Sequence, residues 1–163
     1  MVRFFALFAA ILLVLFTAEL TPPAQSAIVV PWTELLARIA SALVSLVDPH
    51  VSVLGRILRS TTNGFAISIE AGCNGIEAAI ILVAAMLAFP APWKFRLLGI
   101  GAGILAVQAL NVVRVVSLFY LGQWNTRAFE WAHLYLWQAL IMLDVLVVWM
   151  VWIRALRLRP VPA

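Results

Sequence analysis

Three residues of this 163-residue chain carry side chains suited to group-transfer chemistry and stand in otherwise apolar sequence: Cys73, Arg114 and His133. Cys73 is the only cysteine, within Ile69-Glu70-Ala71-Gly72-Cys73-Asn74-Gly75-Ile76-Glu77, where a short extended segment runs into an apolar helix. Thiolate is its reactive form, and a helix N-terminus favours thiolate through unpaired N–H groups and the helix dipole. Gly72 and Gly75 remove bulk on either side, so another backbone could approach the sulfur closely. A guanidinium can stabilise developing negative charge, and an imidazole can move protons near neutral pH. Such a set fits a thiol-based catalytic site. A lone cysteine is more often a small buried hydrophobe. What sets Cys73 apart is its company: a helix start, paired glycines, and a cation and a histidine at the same predicted membrane depth.

These residues must be positioned by a membrane protein. Hydrophobic residues make up 65% of the chain and charged residues 11%. That charged share is less than half of the roughly 25% usual in soluble domains. With a mean hydropathy of +1.07, too little polar surface exists to cover a water-soluble globule. The net charge of +4 comes from basic residues that mostly flank apolar spans rather than forming a run with interleaved aromatics, which argues against a nucleic-acid partner. One cysteine allows no intramolecular disulfide.

The chain reads as a single membrane-embedded domain, an all-α bundle of about four transmembrane helices with an amphipathic helix and a short β-hairpin outside the cytoplasm. Spans are expected at about 4–20, 74–89, 97–121 and 133–153. The first is read as a retained anchor; a cleavable signal peptide ending near Ala24-Gln25-Ser26 is the other possibility. Trp32 to Val47 reads as a helix in the interface plane, with Trp32, Leu35, Leu36, Ile39, Leu43, Leu46 and Val47 on its apolar face. Glu34 and Arg38 on the other face are spaced as an i,i+4 pair.

Ile57 to Glu70 is expected to form a hairpin about Asn63-Gly64, whose second strand delivers the chain to Cys73. Asn74 and Glu77 have capping-box spacing, which would start the second span; Glu77 could otherwise hold Arg114. Trp93 to Arg96 reads as a basic loop and Gly122 to Ala132 as a second loop. In the third span Gly99, Gly101 and Gly103 suit close helix packing. Gln108, Asn111 and Arg114 form a polar arc that must face the protein or a wet cavity. Asp144, near the middle of the last span, is expected to pair with Gln108 as a packing lock.

Counted from a cytoplasmic N-terminus, Arg3, Lys94, Arg96, Arg154, Arg157 and Arg159 lie inside with no acidic residue among them. Glu19, Glu34, Asp48, Glu70, Glu77 and Glu130 lie at or beyond the outer surface. The positive-inside rule thus supports both termini in the cytoplasm. Cys73 and His133 then open spans at the outer face. Arg114, about 17 residues into the third span, is roughly 25 Å up a membrane near 30 Å thick.

Ala71-Gly72-Cys73-Asn74-Gly75-Ile76 at the head of one span, Asn111-Val112-Val113-Arg114-Val115 in the next and His133 at the head of the last resemble the exosortase/archaeosortase family of membrane cysteine transpeptidases. Asn74 stands where many relatives have serine, and the fuller members have more spans. The compact form is similar to exosortase H. The resemblance implies an enzyme of the bacterial inner membrane, with its site facing out. Its implied partners are exported proteins that carry a C-terminal sorting signal (IPTLxxWG type) before a transmembrane tail. It also implies Cys73 as nucleophile, Arg114 as oxyanion stabiliser and His133 as proton carrier, with Asn74, Glu77 and Asn111 in support.

Apart from membrane lipid, nothing else is called for. His50 and His133 have no ligand-spaced company, so no metal is expected, and no glycine loop for a phosphate cofactor appears. Two other activities fit parts of the pattern: a thiol acyltransferase carrying lipid on Cys73, or a non-enzymatic scaffold assembled through Gly99 and Gly103.

Overall fold

The computed structural model describes residues 2–158, so Arg159 lies outside the described residues. In order, the elements are α1 (Val2–Glu19), α2 (Pro22–Ala24), a π-helical turn (Gln25–Val29) and α3 (Val30–Ser45). Strands β1 (Val51–Leu54), β2 (Ile57–Ser60) and β3 (Ala66–Ser68) follow, then α4 (Ile76–Ala88) and α5 (Trp93–Trp124). α6 (Thr126–Trp131), a second π-helical turn (Ala132–Leu136) and α7 (Trp137–Arg157) complete the chain.

α1, α4, α5 and α7 form one antiparallel bundle, with α4 at its centre against the other three. One end holds an aromatic cluster: Phe4 lies against Phe89 and Trp149, while Trp152 stacks on Phe95 at 5.6 Å. Arg3 and Arg96 flank that end, and Arg96 donates to the Phe89 carbonyl (2.9 Å). Leu15, Ile76 and Gln108 meet near the opposite end. Arg3 and Arg96 and the three candidate site residues therefore sit at opposite ends of the bundle, as expected for those residues from the charge flanking the spans.

Four stretches are long and apolar enough to cross a membrane: Val2–Glu19, Pro22–Ser45, Trp93–Trp124 and Thr126–Arg157. By length and composition alone, this set differs from the expected spans in two places. The helix at the expected second span has only 13 residues, about 20 Å, although it fills the middle of the bundle. The helix expected to lie in the interface plane is long enough to cross.

α3 packs on the sheet and on α5 rather than inside the bundle. Its buried face is Thr33, Leu36, Ala37, Ala40 and Val44, whereas Leu35, Ile39, Leu43, Leu46 and Val47 are exposed. Ala37 and Ala40 let the sheet come close, while Leu35, Ile39 and Leu43 face outward. Glu34 and Arg38 do pair, at 4.0 Å and largely exposed, which contributes little.

The expected hairpin is part of a three-stranded antiparallel meander. Its turn is where Asn63-Gly64 placed it: Gly64 has φ +75°, and Asn63 Oδ1 accepts from the Phe65 N–H (2.9 Å). The extra strand β1 joins β2 through Gly55-Arg56, with Leu54 opposite Ile57. Gly55 at φ +57° takes the first turn position, as a two-residue hairpin loop needs. Leu58, Ile69, Val115 and Phe119 close the core between sheet, α3 and α5.

Two expected loops are helical. Trp93–Arg96 is the first turn of α5, entered from Pro92, and α5 runs on to Trp124 as a 32-residue rod. Asn125 caps α6, accepting from the Ala128 N–H (3.1 Å). Helix therefore continues from Thr126 to Arg157, broken in geometry only by the wide turn at Ala132–Leu136.

Gly99 and Gly103 of α5 pack within the chain. A Cβ on Gly99 would enter the Trp152 indole, and one on Gly103 would meet Leu82 at 2.6 Å. Gly101 faces open space. Gly103→Ala should therefore destabilise the fold by about 1–3 kcal/mol, read as a lower unfolding midpoint in detergent. Gly101→Ala should leave the midpoint nearly unchanged; equal losses would contradict this packing.

Candidate active site

Cys73 is delivered by β3 through Ile69 and a tight turn, in which its N–H donates to the Glu70 carbonyl (2.9 Å). The turn depends on glycine at both ends: Gly72 has φ +81° and Gly75, the α4 N-cap, has φ +74°. Both values lie in the left-handed region that disfavours side chains. Their surroundings differ. A Cβ at Gly72 would meet nothing within 4 Å, whereas one at Gly75 would press on Gln108 (2.9 Å) and Asn111 (3.1 Å). Gly75 lets α5 close on the loop, and Gly72 leaves open space beside it.

The polar arc of α5 then follows the loop residue by residue. Gln108 and Asn111 flank Gly75, and Asn111 Nδ2 donates to the Cys73 carbonyl (3.3 Å). Arg114 Nη1 donates to the Gly72 carbonyl (3.5 Å) and Nη2 to Cys73 Sγ (3.4 Å). Steps of three residues on a helix advance about 4.5 Å, close to the spacing of successive loop residues. That match is why three side chains can grip one short loop.

Asn74 is fully buried and anchors the turn from the other side. Its Oδ1 accepts from the Ile76 N–H (3.0 Å), its Nδ2 donates to Thr33 (3.1 Å), and its carbonyl accepts from Trp32 Nε1 (3.2 Å). The expected capping box is therefore replaced by a different arrangement. Asn74 caps two residues ahead, and Glu77 reaches back to the Gly72 N–H instead of the Asn74 N–H. Glu77 satisfies a turn amide and makes no ion pair with Arg114.

His133 comes from the wide turn, its Nε2 3.9 Å from Cys73 Sγ. Its ring stacks on Phe129 with centroids 5.7 Å apart and planes 1° from parallel. Phe129 fell within a predicted loop; its signal was the four-residue spacing to His133, which matters only once that segment is helical. Such a turn inserts one extra residue per hydrogen-bonded ring and is frequent at functional sites. Together Cys73, Arg114 and His133 line a small cavity of about 40 Å³, with Ile67, Ser68 and Phe129. That is little more than one water's share of liquid volume.

Arg114 is 3% exposed and forms no ion pair among the described residues. A buried guanidinium without a counter-ion is destabilising. Its Nε and His133 Nδ1 are also buried without partners. The site thus holds positive charge and free donors around a sulfur, an arrangement suited to an anion that forms there.

The expectation of a thiolate favoured at rest is corrected. Burial pushes the Cys73 thiol above its ordinary range; the Arg114 guanidinium pulls it back, and the carboxylates of Glu77 and Glu70 push it up again. Burial dominates, so the resting group at neutral pH is the thiol, and a base must remove its proton. Iodoacetamide labelling of Cys73 in membranes should rise with pH along a curve whose midpoint lies above that of a free cysteine, at about 8.5. A midpoint below it would mean that Arg114 outweighs burial.

Asp144 stands apart from this cluster. Its Oδ2 is buried without a partner, and the expected bond to Gln108 is absent because Gln108 turns toward Gly75.

No curated protein and no solved structure matches the chain. Residues 2–151 match the family described as transmembrane exosortase (Exosortase_EpsH). That match spans both ends of the bundle and all three clustered side chains, and the chain is a multi-pass membrane protein of the transmembrane exosortase family.

Proposed function

We propose that the protein is a cysteine peptidase or transpeptidase of the bacterial inner membrane. It cleaves exported proteins before their C-terminal transmembrane tails, at the outer boundary. The observation that carries this reading is the placement of Cys73 Sγ within 3.4 Å of Arg114 Nη2 and 3.9 Å of His133 Nε2. The opposite placement of the basic end supports an outward-facing site.

In the first step His133 Nε2 accepts the Cys73 proton as the sulfur attacks the scissile carbonyl. For this the neutral imidazole carries its proton on Nδ1. Charge moves from sulfur to the carbonyl oxygen, where Arg114 meets it, and weak screening strengthens that attraction. The C–N bond then breaks, and the departing amine takes the proton from His133. A thioester on Cys73 remains. Water or an acceptor amine attacks it, loses a proton to His133, and Cys73 leaves as thiol. Asn111 and Glu77 hold the loop through backbone groups and stay off the reacting atoms. The compact form favours tails preceded by an IPTLxxWG-type signal.

The test is to quench membranes in acid and identify what is bound to Cys73 by mass spectrometry. A peptide thioester ending at the residue before a transmembrane tail is expected. A fatty acyl thioester instead would make the protein an acyltransferase. The scaffold reading loses its main support, because the faces of Gly99 and Gly103 are occupied within the chain.

A further inference from the structure

β3 is the edge of the sheet, paired with β2 on one side only. Ser60 N–H donates to the Phe65 carbonyl (2.8 Å) and Ile69 N–H to the Arg56 carbonyl (3.1 Å). With Leu58 opposite Ile67, antiparallel alternation turns the backbone groups of Phe65, Ile67 and Ile69 toward β2. Those of Ala66 and Ser68 therefore point away from the sheet. They meet no hydrogen-bond partner among the described residues.

Outside this edge lies a groove of about 310 Å³, with Ala66 and Ser68 on one wall and Thr126, Phe129 and His133 on the other. It adjoins the cavity at the sulfur, since Ile67, Ser68, Phe129 and His133 line both. Unpaired N–H and C=O groups at alternate residues are complementary to another extended backbone. A lipid acyl chain offers neither group. The groove also ends at a site suited to opening a peptide carbonyl.

We infer that the substrate peptide docks as a fourth strand on the free edge of β3, between Ala66–Ser68 and the Thr126–His133 segment. This rests on the peptide-cleaving reading above and adds where the peptide lies and which groups hold it. β3 runs from the end of α5, where Asn63 Nδ2 donates to Gln123 (2.9 Å), toward Arg114. A peptide whose membrane tail follows the scissile bond runs the same way, so the pairing is parallel. Main-chain bonds supply affinity, and selection falls on alternate side chains, those turned toward Phe129 and His133.

The Ala66 N–H faces the groove and takes no part in the β2 ladder, so Ala66→Pro removes a docking donor and leaves the sheet paired. Membranes carrying wild type or Ala66→Pro are quenched and the peptide thioester on Cys73 is quantified. Iodoacetamide labelling of the same samples reports whether the site is intact. Ala66→Pro should lower the thioester about tenfold, with labelling unchanged.

A wild-type level in Ala66→Pro would overturn the inference while leaving the peptidase reading intact. No peptide thioester in the wild type would instead overturn that reading. A second measurement alters no strand: a benzophenone amino acid at Thr126 should crosslink the captured peptide, and one at Ser52 on the opposite sheet edge should not. No crosslink from position 126, or one only to a second copy of the chain, would overturn the docking site even if Ala66→Pro failed to fold.

Discussion

Cys73→Ala should abolish removal of C-terminal tails from exported proteins, a loss of more than about a thousandfold, because no other thiol exists to form the acyl intermediate. The substitution removes one sulfur from a half-buried site at the margin of the core formed by Leu58, Ile69 and Phe119. It should therefore shift stability by no more than about 1 kcal/mol. The decisive measurement pairs two readouts: the unfolding midpoint in detergent, and the mass of an exported protein that normally loses its tail. An unchanged midpoint with a retained tail is expected. Continued trimming by the alanine variant would remove Cys73 from the mechanism.

Arg114→Lys should be nearly as damaging, lowering the rate by roughly a hundredfold to a thousandfold, although the charge is retained. Arg114 acts in two directions at once, with Nη1 on the Gly72 carbonyl and Nη2 on the sulfur. A lysine ammonium is a compact point charge without that fork. It must either hold the loop or face the reacting oxygen. The loss should appear in the turnover rate more than in the apparent substrate affinity, because the interaction matters most once the oxyanion has formed. A lysine variant working at the wild-type rate would reduce Arg114 to a source of positive potential.

The convergence of Cys73, Arg114 and His133 was legible because polar groups are rare in this chain and hydrocarbon forces them inward. The distance of Arg114 along its helix and the charge asymmetry between the ends then left one plane where they could meet. The hairpin turn was legible for a local reason, since Asn63-Gly64 demands a left-handed residue. Other features have no such local cause. β1 is four residues long and is held mainly by pairing with β2, which four residues cannot announce. The face of α3 that meets the protein was not legible because hydropathy treats lipid and protein core alike: Ala37 and Ala40 turn inward with Leu36 and Val44, while Leu35 and Leu43 turn outward. The Glu77 bond to the Gly72 amide depends on the loop path, which two left-handed glycines set.

The wide turn at Ala132–Leu136 changes what one rod can do. A regular helix has a single phase: once Ile141 and Val145 are locked against α4 and α5, the heading of every residue toward Thr126 is already decided. An extra residue in the winding resets that phase by about 100°. The lower part of α7 obeys the bundle, while Phe129 and His133 obey the sulfur. The imidazole's heading can thus be tuned by the length of a single turn, independently of the packing that keeps the protein in the membrane.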